Sequence, residues 1–121
     1  MDEDNGNYDN IVFRCTDIYT MGVISGKWRL PIIWTLSFQD GMRYNEIRRE
    51  LSGITNTMLT RSLQGLEEYG LVNRREFPEV PPHVEYFLTD KCKELLPMLE
   101  AINKWGKEVL AEHHQKLGTT I

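Results

Sequence analysis

Residues 54–76, ITNTMLTRSLQGLEEYGLVNRRE, decide the fold. Leu59, Leu63 and Leu66 recur at helical spacing, so one face of a helix is apolar and turns toward a core. Thr55 stands just before that pattern, where its side-chain oxygen can accept from a free backbone amide and cap the helix. Gly70 stands just after it and can take the left-handed conformation that stops a helix. With Leu59 at zero and about 100° per residue, Leu63 and Leu66 fall within about 40° of it, and Thr57, Thr60, Arg61 and Gln64 gather on the opposite side. Those are groups that give and accept hydrogen bonds at base edges: Arg61 can fork onto guanine and Gln64 onto adenine. Asn56, in the first turn, can reach a base or a phosphate. The acids, Glu67 and Glu68, lie toward the far end, so an anion approaching the front meets free N–H groups and no carboxylate. An ordinary solvated helix face can look similar, and the neighbouring segments have to decide between the two.

Upstream, residues of about 14 to 24 carry Ile18, Met21 and Ile24 at helical spacing, which predicts a short first helix. KWRLPIIWTLSF, residues 27–38, is apolar on almost every side and predicts a central, buried helix, with Pro31 tolerated in its first turn. A turn at residues 39–41 leads to YNEIRREL, a third short helix with Ile47 and Leu51 inward. Arg43, Tyr44, Asn45, Arg48 and Arg49 belong to that helix and the residues leading into it, where contacts that position a nucleic-acid backbone are expected. A short helix, a tight turn and the helix at 56–68 make a helix-turn-helix.

Downstream, Leu71 to Phe77 and Val84 to Leu88 read as two strands. The prolines of PEVPPH between them belong at the tip of a two-stranded wing, because proline cannot donate to a ladder. Arg74 and Arg75 occupy adjacent ladder positions and so point to opposite faces; one is expected to meet DNA and the other to pair with a glutamate. His83 sits at the wing base and reads as a surface histidine rather than a specific contact. The last helix is expected to run from about Asp90 to Lys116, slightly bent at Pro97. Its apolar residues Leu95, Met98, Leu99, Ile102, Trp105, Val109 and Leu110 spread over a wider sector than one small core requires. Surplus apolar surface of that kind marks a partner, here a second copy of the chain. The expected architecture is mainly α with a small β part: a winged helix-turn-helix with a two-stranded wing and a long C-terminal dimerisation helix.

The bulk numbers fit this reading. At 121 residues, of which 40% are hydrophobic, the chain suits one compact domain spanning 14–121, preceded by an acidic arm at 1–13. The net charge of -4 comes largely from the first 26 residues, where five acids face Arg14 alone. Residues 43–78 hold six arginines, five glutamates and no lysine, a balance that permits a phosphate-facing surface. No apolar run approaches the roughly 20 residues of a membrane span, and the start MDEDNGNYDN is unlike a signal peptide, so a cytoplasmic protein is expected.

Taken in order and at these spacings, GKWRLPII, GMRYNEIRREL, GITNTMLTRSLQGLEEYGLVNRREF, VPPHVEYFLT and ELLPML resemble the HxlR-type winged-helix transcriptional regulators, a bacterial family related to the MarR group. The resemblance covers about Cys15 to Trp105 and implies a homodimer on a palindromic operator, with the helix at 56–68 in the major groove. It implies DNA contacts from Arg43, Tyr44, Asn45, Arg48, Thr55, Asn56, Thr57, Thr60, Arg61, Gln64, Arg74, Arg75 and His83. It also implies a dimer interface built from Ile18 and from Leu95, Met98, Leu99, Ile102, Trp105 and Val109. The chain departs from the family pattern at four places. Thr57 stands where the family often has a basic residue, His83 where it has arginine, Cys92 where glycine is usual, and Cys15-Thr16 where Cys-Pro is common.

Some members of that family resemble thiol switches that oxidise near the position of Cys15. A helix start would favour its thiolate, whereas Asp17 opposes it and plain packing competes, so Cys15 is a candidate redox sensor only. Cys92 is expected to be simple packing. The two cysteines have no metal-ligand spacing, His83, His113 and His114 have no acid or thiol at ligand spacing, and no phosphate-binding loop is present. Neither metal, cofactor nor catalysis is expected, and the effector is left open. The rival to a DNA-binding regulator is a winged helix that binds protein instead; only the former should weaken steeply with salt.

Overall fold

The computed structural model describes residues 20–116. The N-terminal arm, Cys15, Ile18 and most of the expected first helix lie outside the described residues; residues 20–23 are its helical end. Beyond them come α1 (Arg29–Leu36), β1 (Met42–Arg43), α2 (Tyr44–Glu50), α3 (Asn56–Glu68), β2 (Val72–Phe77), β3 (His83–Leu88), α4 (Asp90–Lys93) and α5 (Leu96–Lys116).

Leu59, Leu63 and Leu66 of α3 are buried together with Ile32, Ile33 and Leu36 of α1, Ile47 of α2, Val72 and Leu88 of the sheet, and Cys92 of α4. This is the core on which the helix-turn-helix rests. Removing one such leucine side chain would cost about 2–5 kcal/mol. The expectation that α1 is buried all round is corrected. Its inner side is sealed, but Leu30 and Trp34 are half-buried and Phe38, just past its end, is 76% exposed. So short a chain packs neighbours against only part of an eight-residue helix.

The start of α3 is capped as its sequence suggests: Thr55 Oγ1 accepts from the Met58 amide at 3.1 Å. Its end closes on Gly70, at φ 74°, with the Leu71 amide bonded to Leu66 O at 2.9 Å and the Gly70 amide to Glu67 O at 3.0 Å. This reciprocal pair of bonds satisfies the last carbonyls of the helix and sends the chain straight into β2.

The two-stranded wing, β2 with β3, forms as expected, and a short third strand joins β3. Met42 and Arg43 pair with Tyr86 and Glu85, so the antiparallel sheet has three strands in the order β1-β3-β2. A two-residue strand carries no periodicity, so no sequence pattern announces it. β2 and β3 run in register from Val72↔Leu88 to Phe77↔His83, with Pro78, Pro81 and Pro82 in the tip beyond.

The last helix is broken rather than bent. α4 stops at Lys93 and α5 begins at Leu96. Pro97 has no amide for the Lys93 carbonyl, and its ring crowds that same carbonyl, so a continuous helix cannot pass. Thr89 caps α4, accepting from the Cys92 amide at 3.1 Å, and donates its own proton to Gly70 O at 2.7 Å. One hydroxyl thus fastens the end of β3 to the end of α3.

Candidate nucleic-acid interface

The outward side of α3 carries Thr57, Arg61 and Gln64, all outside the core, and the helix has no acid in its first turn. Its first internal bond is Leu59 N–H to Thr55 O at 2.9 Å. The amides of Asn56 and Thr57 stand ahead of that bond, at the positive end of the helix dipole.

Asn56 and Thr60 are also exposed, but they answer to α2. The Tyr44 hydroxyl lies 3.0 Å from Asn56 O, 3.3 Å from Asn56 Oδ1 and 3.1 Å from Thr60 Oγ1. Tyr44 packs its ring against the core and therefore holds the front of α3 to the start of α2. The hydroxyl expected near a phosphate is thus engaged at the front of α3.

Around that front end lie the cations of α2. The Arg43 amide donates to Glu46 Oε1 at 2.8 Å, an exchange that caps α2 and engages the carboxylate locally while the Arg43 side chain stays exposed. Asn45, Arg48 and Arg49 are exposed as well, and they line a shallow hollow with Ser52 and Gly53 beside the turn. This hollow adjoins the turn that leads from α2 into α3.

In the wing, the register places Arg74 opposite Tyr86 and Arg75 opposite Glu85, on the two faces. Arg74 pairs with Glu76 at 3.3 Å, which is the expected glutamate partner. The Tyr86 hydroxyl and then Glu76 hold its already high pKa higher still, against the opposing effect of burial. Arg75 lies over the Phe87 ring at 4.7 Å and remains exposed, the better placed of the two for a phosphate.

His83 is a correction. It is no open surface histidine: its side chain is 12% exposed, stacked on Phe77 at 4.8 Å and 7°. Its ring nitrogens face Glu79 at 3.2 Å and Glu85 at 2.9 Å. Two acids therefore flank it, against the expectation of a phosphate contact: Glu85 is hydrogen-bonded to Nε2, and Glu79 lies near a buried Nδ1 that has no hydrogen bond. Glu85 is two residues away and Glu79 four, so the strand alternation and the folded tip are the signals that could have found them.

Of the residues assigned to a dimer interface, Met98, Ile102, Trp105 and Val109 are 56%, 54%, 66% and 40% exposed on α5, with Leu110 at 54%. Leu95 is half-buried against the core. Leu99 is a correction: at 6% exposure it belongs to the core of this chain.

Residues 23–114 match the HxlR-like helix-turn-helix family. The chain belongs to it. An HTH-type transcriptional regulator of Halalkalibacterium halodurans is 47% identical over 88 residues, which cover 73% of this chain and 78% of that one. Among solved structures, a MarR-family transcriptional regulator from Porphyromonas gingivalis W83 is 38% identical with a TM-score of 0.70, covering 78% of this chain and 91% of its own. The redox regulator HypR in its oxidised form is 37% identical with a TM-score of 0.72, covering 78% and 96%. This HxlR-family chain is accordingly a transcriptional regulator with a DNA-binding winged helix-turn-helix. Its relatives are regulators and not enzymes.

Proposed function

We propose that this regulator works in the cytoplasm as a homodimer that places α3 of each copy in the major groove of a palindromic operator. The observation that carries the reading is α3 itself, with its carboxylate-free front and its outward row of Thr57, Arg61 and Gln64. Arg61 and Gln64 read base edges, with Thr57 beside them. Asn56, Thr60 and the Thr55 cap are held in place for that task, and Arg43, Asn45, Arg48 and Arg75 meet phosphates. Arg74 serves the wing through Glu76.

The exposed apolar residues Met98, Ile102, Trp105 and Val109 support the dimer, since a row of large side chains left half open in one chain is suited to a second copy. Two-fold symmetry would set the reading helices about one DNA turn, roughly 34 Å, apart. Ile18 is assigned to the same interface. Among the described residues no helix is long and apolar enough to cross a membrane.

Similarity to a redox regulator supports a thiol response as one route of control. Cys92 is unsuited to it, being fully buried with its thiol pushed up to about 11 by burial. Cys15 is therefore the remaining sensor candidate, and if it responds, mild oxidant changes operator binding by the native protein but not by Cys15→Ser.

The central test is a DNA titration across salt concentrations. Binding should weaken steeply with salt, and Arg61→Ala should relax base choice by about 1–3 kcal/mol at one position. Trp105→Glu should yield a folded monomer with weak operator affinity. A salt-independent interaction, or a wild-type monomer in solution, refutes the proposal.

A further inference from the structure

We infer that Arg29 is a positioning residue that ties the helical residues 20–23 to α3 and so sets the tilt of α3 and the separation of the two reading helices. This rests on the dimeric operator reading above. The guanidinium sits where three elements meet. Nη1 donates to Val23 O at 2.7 Å and to Gly22 O at 3.0 Å, carbonyls at the end of the helical residues 20–23. Carbonyls at that end of a helix lack internal partners and carry the negative pole of its dipole, so a cation there closes the helix.

The same guanidinium lies over the Tyr69 ring, 5.5 Å from its centroid, at the end of α3. It also fills the space beside Gly65, which is buried within α3. Glycine inside a helix weakens it relative to alanine, so its presence there calls for a cause. An ideal Cβ at Gly65 would stand 3.1 Å from Arg29 Cζ and would meet Nη2 closer still. The missing side chain is the seat of the guanidinium.

Arg29 itself opens α1, so one residue joins the last turn before α1 to the middle and rear of α3. Tyr44 holds the front of α3 and Arg29 holds its rear. Two anchors at opposite ends fix the tilt of a rod. Lysine could not replace the second, because a compact ammonium that reached both carbonyls would not also fill the space beside Gly65.

Wild-type protein is first used to select duplex DNA from a random-sequence pool. The selected duplex is then rebuilt with one base pair removed or inserted between its half-sites. Gly65→Ala is the sharper variant, because its methyl displaces only the far end of a flexible side chain and leaves the helix intact. Gly65→Ala and Arg29→Met should both remain dimers, Gly65→Ala melting no lower than wild type. Each should bind the selected duplex about tenfold more weakly, and its preference for the original spacing should flatten or move.

Wild-type affinity and spacing preference in both variants would overturn the inference. So would the same change of spacing preference in Leu63→Ala, a core substitution that only destabilises, since tilt would then follow stability alone. A wild-type protein that selects no duplex, or only a single half-site, instead refutes the dimeric operator reading beneath it.

Discussion

Tyr44→Phe isolates one hydroxyl. The ring stays packed on the core, and only the contacts at 3.0, 3.3 and 3.1 Å to Asn56 O, Asn56 Oδ1 and Thr60 Oγ1 are lost. A hydrogen bond contributes about 0.5–1.5 kcal/mol net. The residues it serves are exposed, so water replaces the lost donor and the cost falls in the lower half of that range, about 0.5–1 kcal/mol. For a domain of this size that is roughly 2–4 °C in Tm. In urea the midpoint should drop with an unchanged slope, because no additional surface is exposed.

Operator affinity should fall about two- to fivefold, since about 1 kcal/mol corresponds to a factor of five and Asn56 and Thr60 lose their common anchor. Tyr44→Phe and Thr60→Ala should be less than additive in a double-mutant cycle, because each removes the same contact. Full additivity, or a stability loss above about 2 kcal/mol, would refute the assignment of Tyr44 as the part that aims α3.

Two further outcomes test the surroundings. Arg48→Ala should reduce the slope of log affinity against log salt by about 1 and weaken all sequences alike, whereas a base-reading role would alter sequence preference in DNA selections. Cys92 contributes a pH dependence whose sign comes from burial. Its folded pKa is raised from 9.0 to about 11, so the unfolded chain loses the proton first. Stability from this thiol is complete below about pH 9 and declines toward about pH 11, and thermal melts of wild type and Cys92→Ala should diverge in slope over that window.

Much of the architecture is written in local signals. Thr55, the Leu59–Leu63–Leu66 spacing and Gly70 mark α3 because cap, apolar face and stop are each short-range devices. The outward Thr57–Arg61–Gln64 row comes from the same periodicity. The features that escaped are those that depend on distant pairing. β1 is two residues long and exists only because β3 accepts it. His83 is defined by Phe77 and Glu79 across the folded tip. Leu99 belongs to the core of its own chain, a placement set by the tertiary packing of α5 and not by its apolar character alone. Arg29 had one clue in the sequence: an interior glycine at position 65 in an otherwise good helix.

The hydroxyl of Thr89 joins segments 19 residues apart, taking an amide from α4 and giving its proton to Gly70. The groove-reading rod and the root of the hairpin consequently travel as one body. Beyond the last ladder pair the tip is tied back through Glu79 to His83 and projects outward past it, with Val80 99% exposed. Lengthening or recharging the tip would therefore change how far the protein reaches along a duplex without re-aiming the rod, so reach and sequence choice can diverge independently as such regulators evolve.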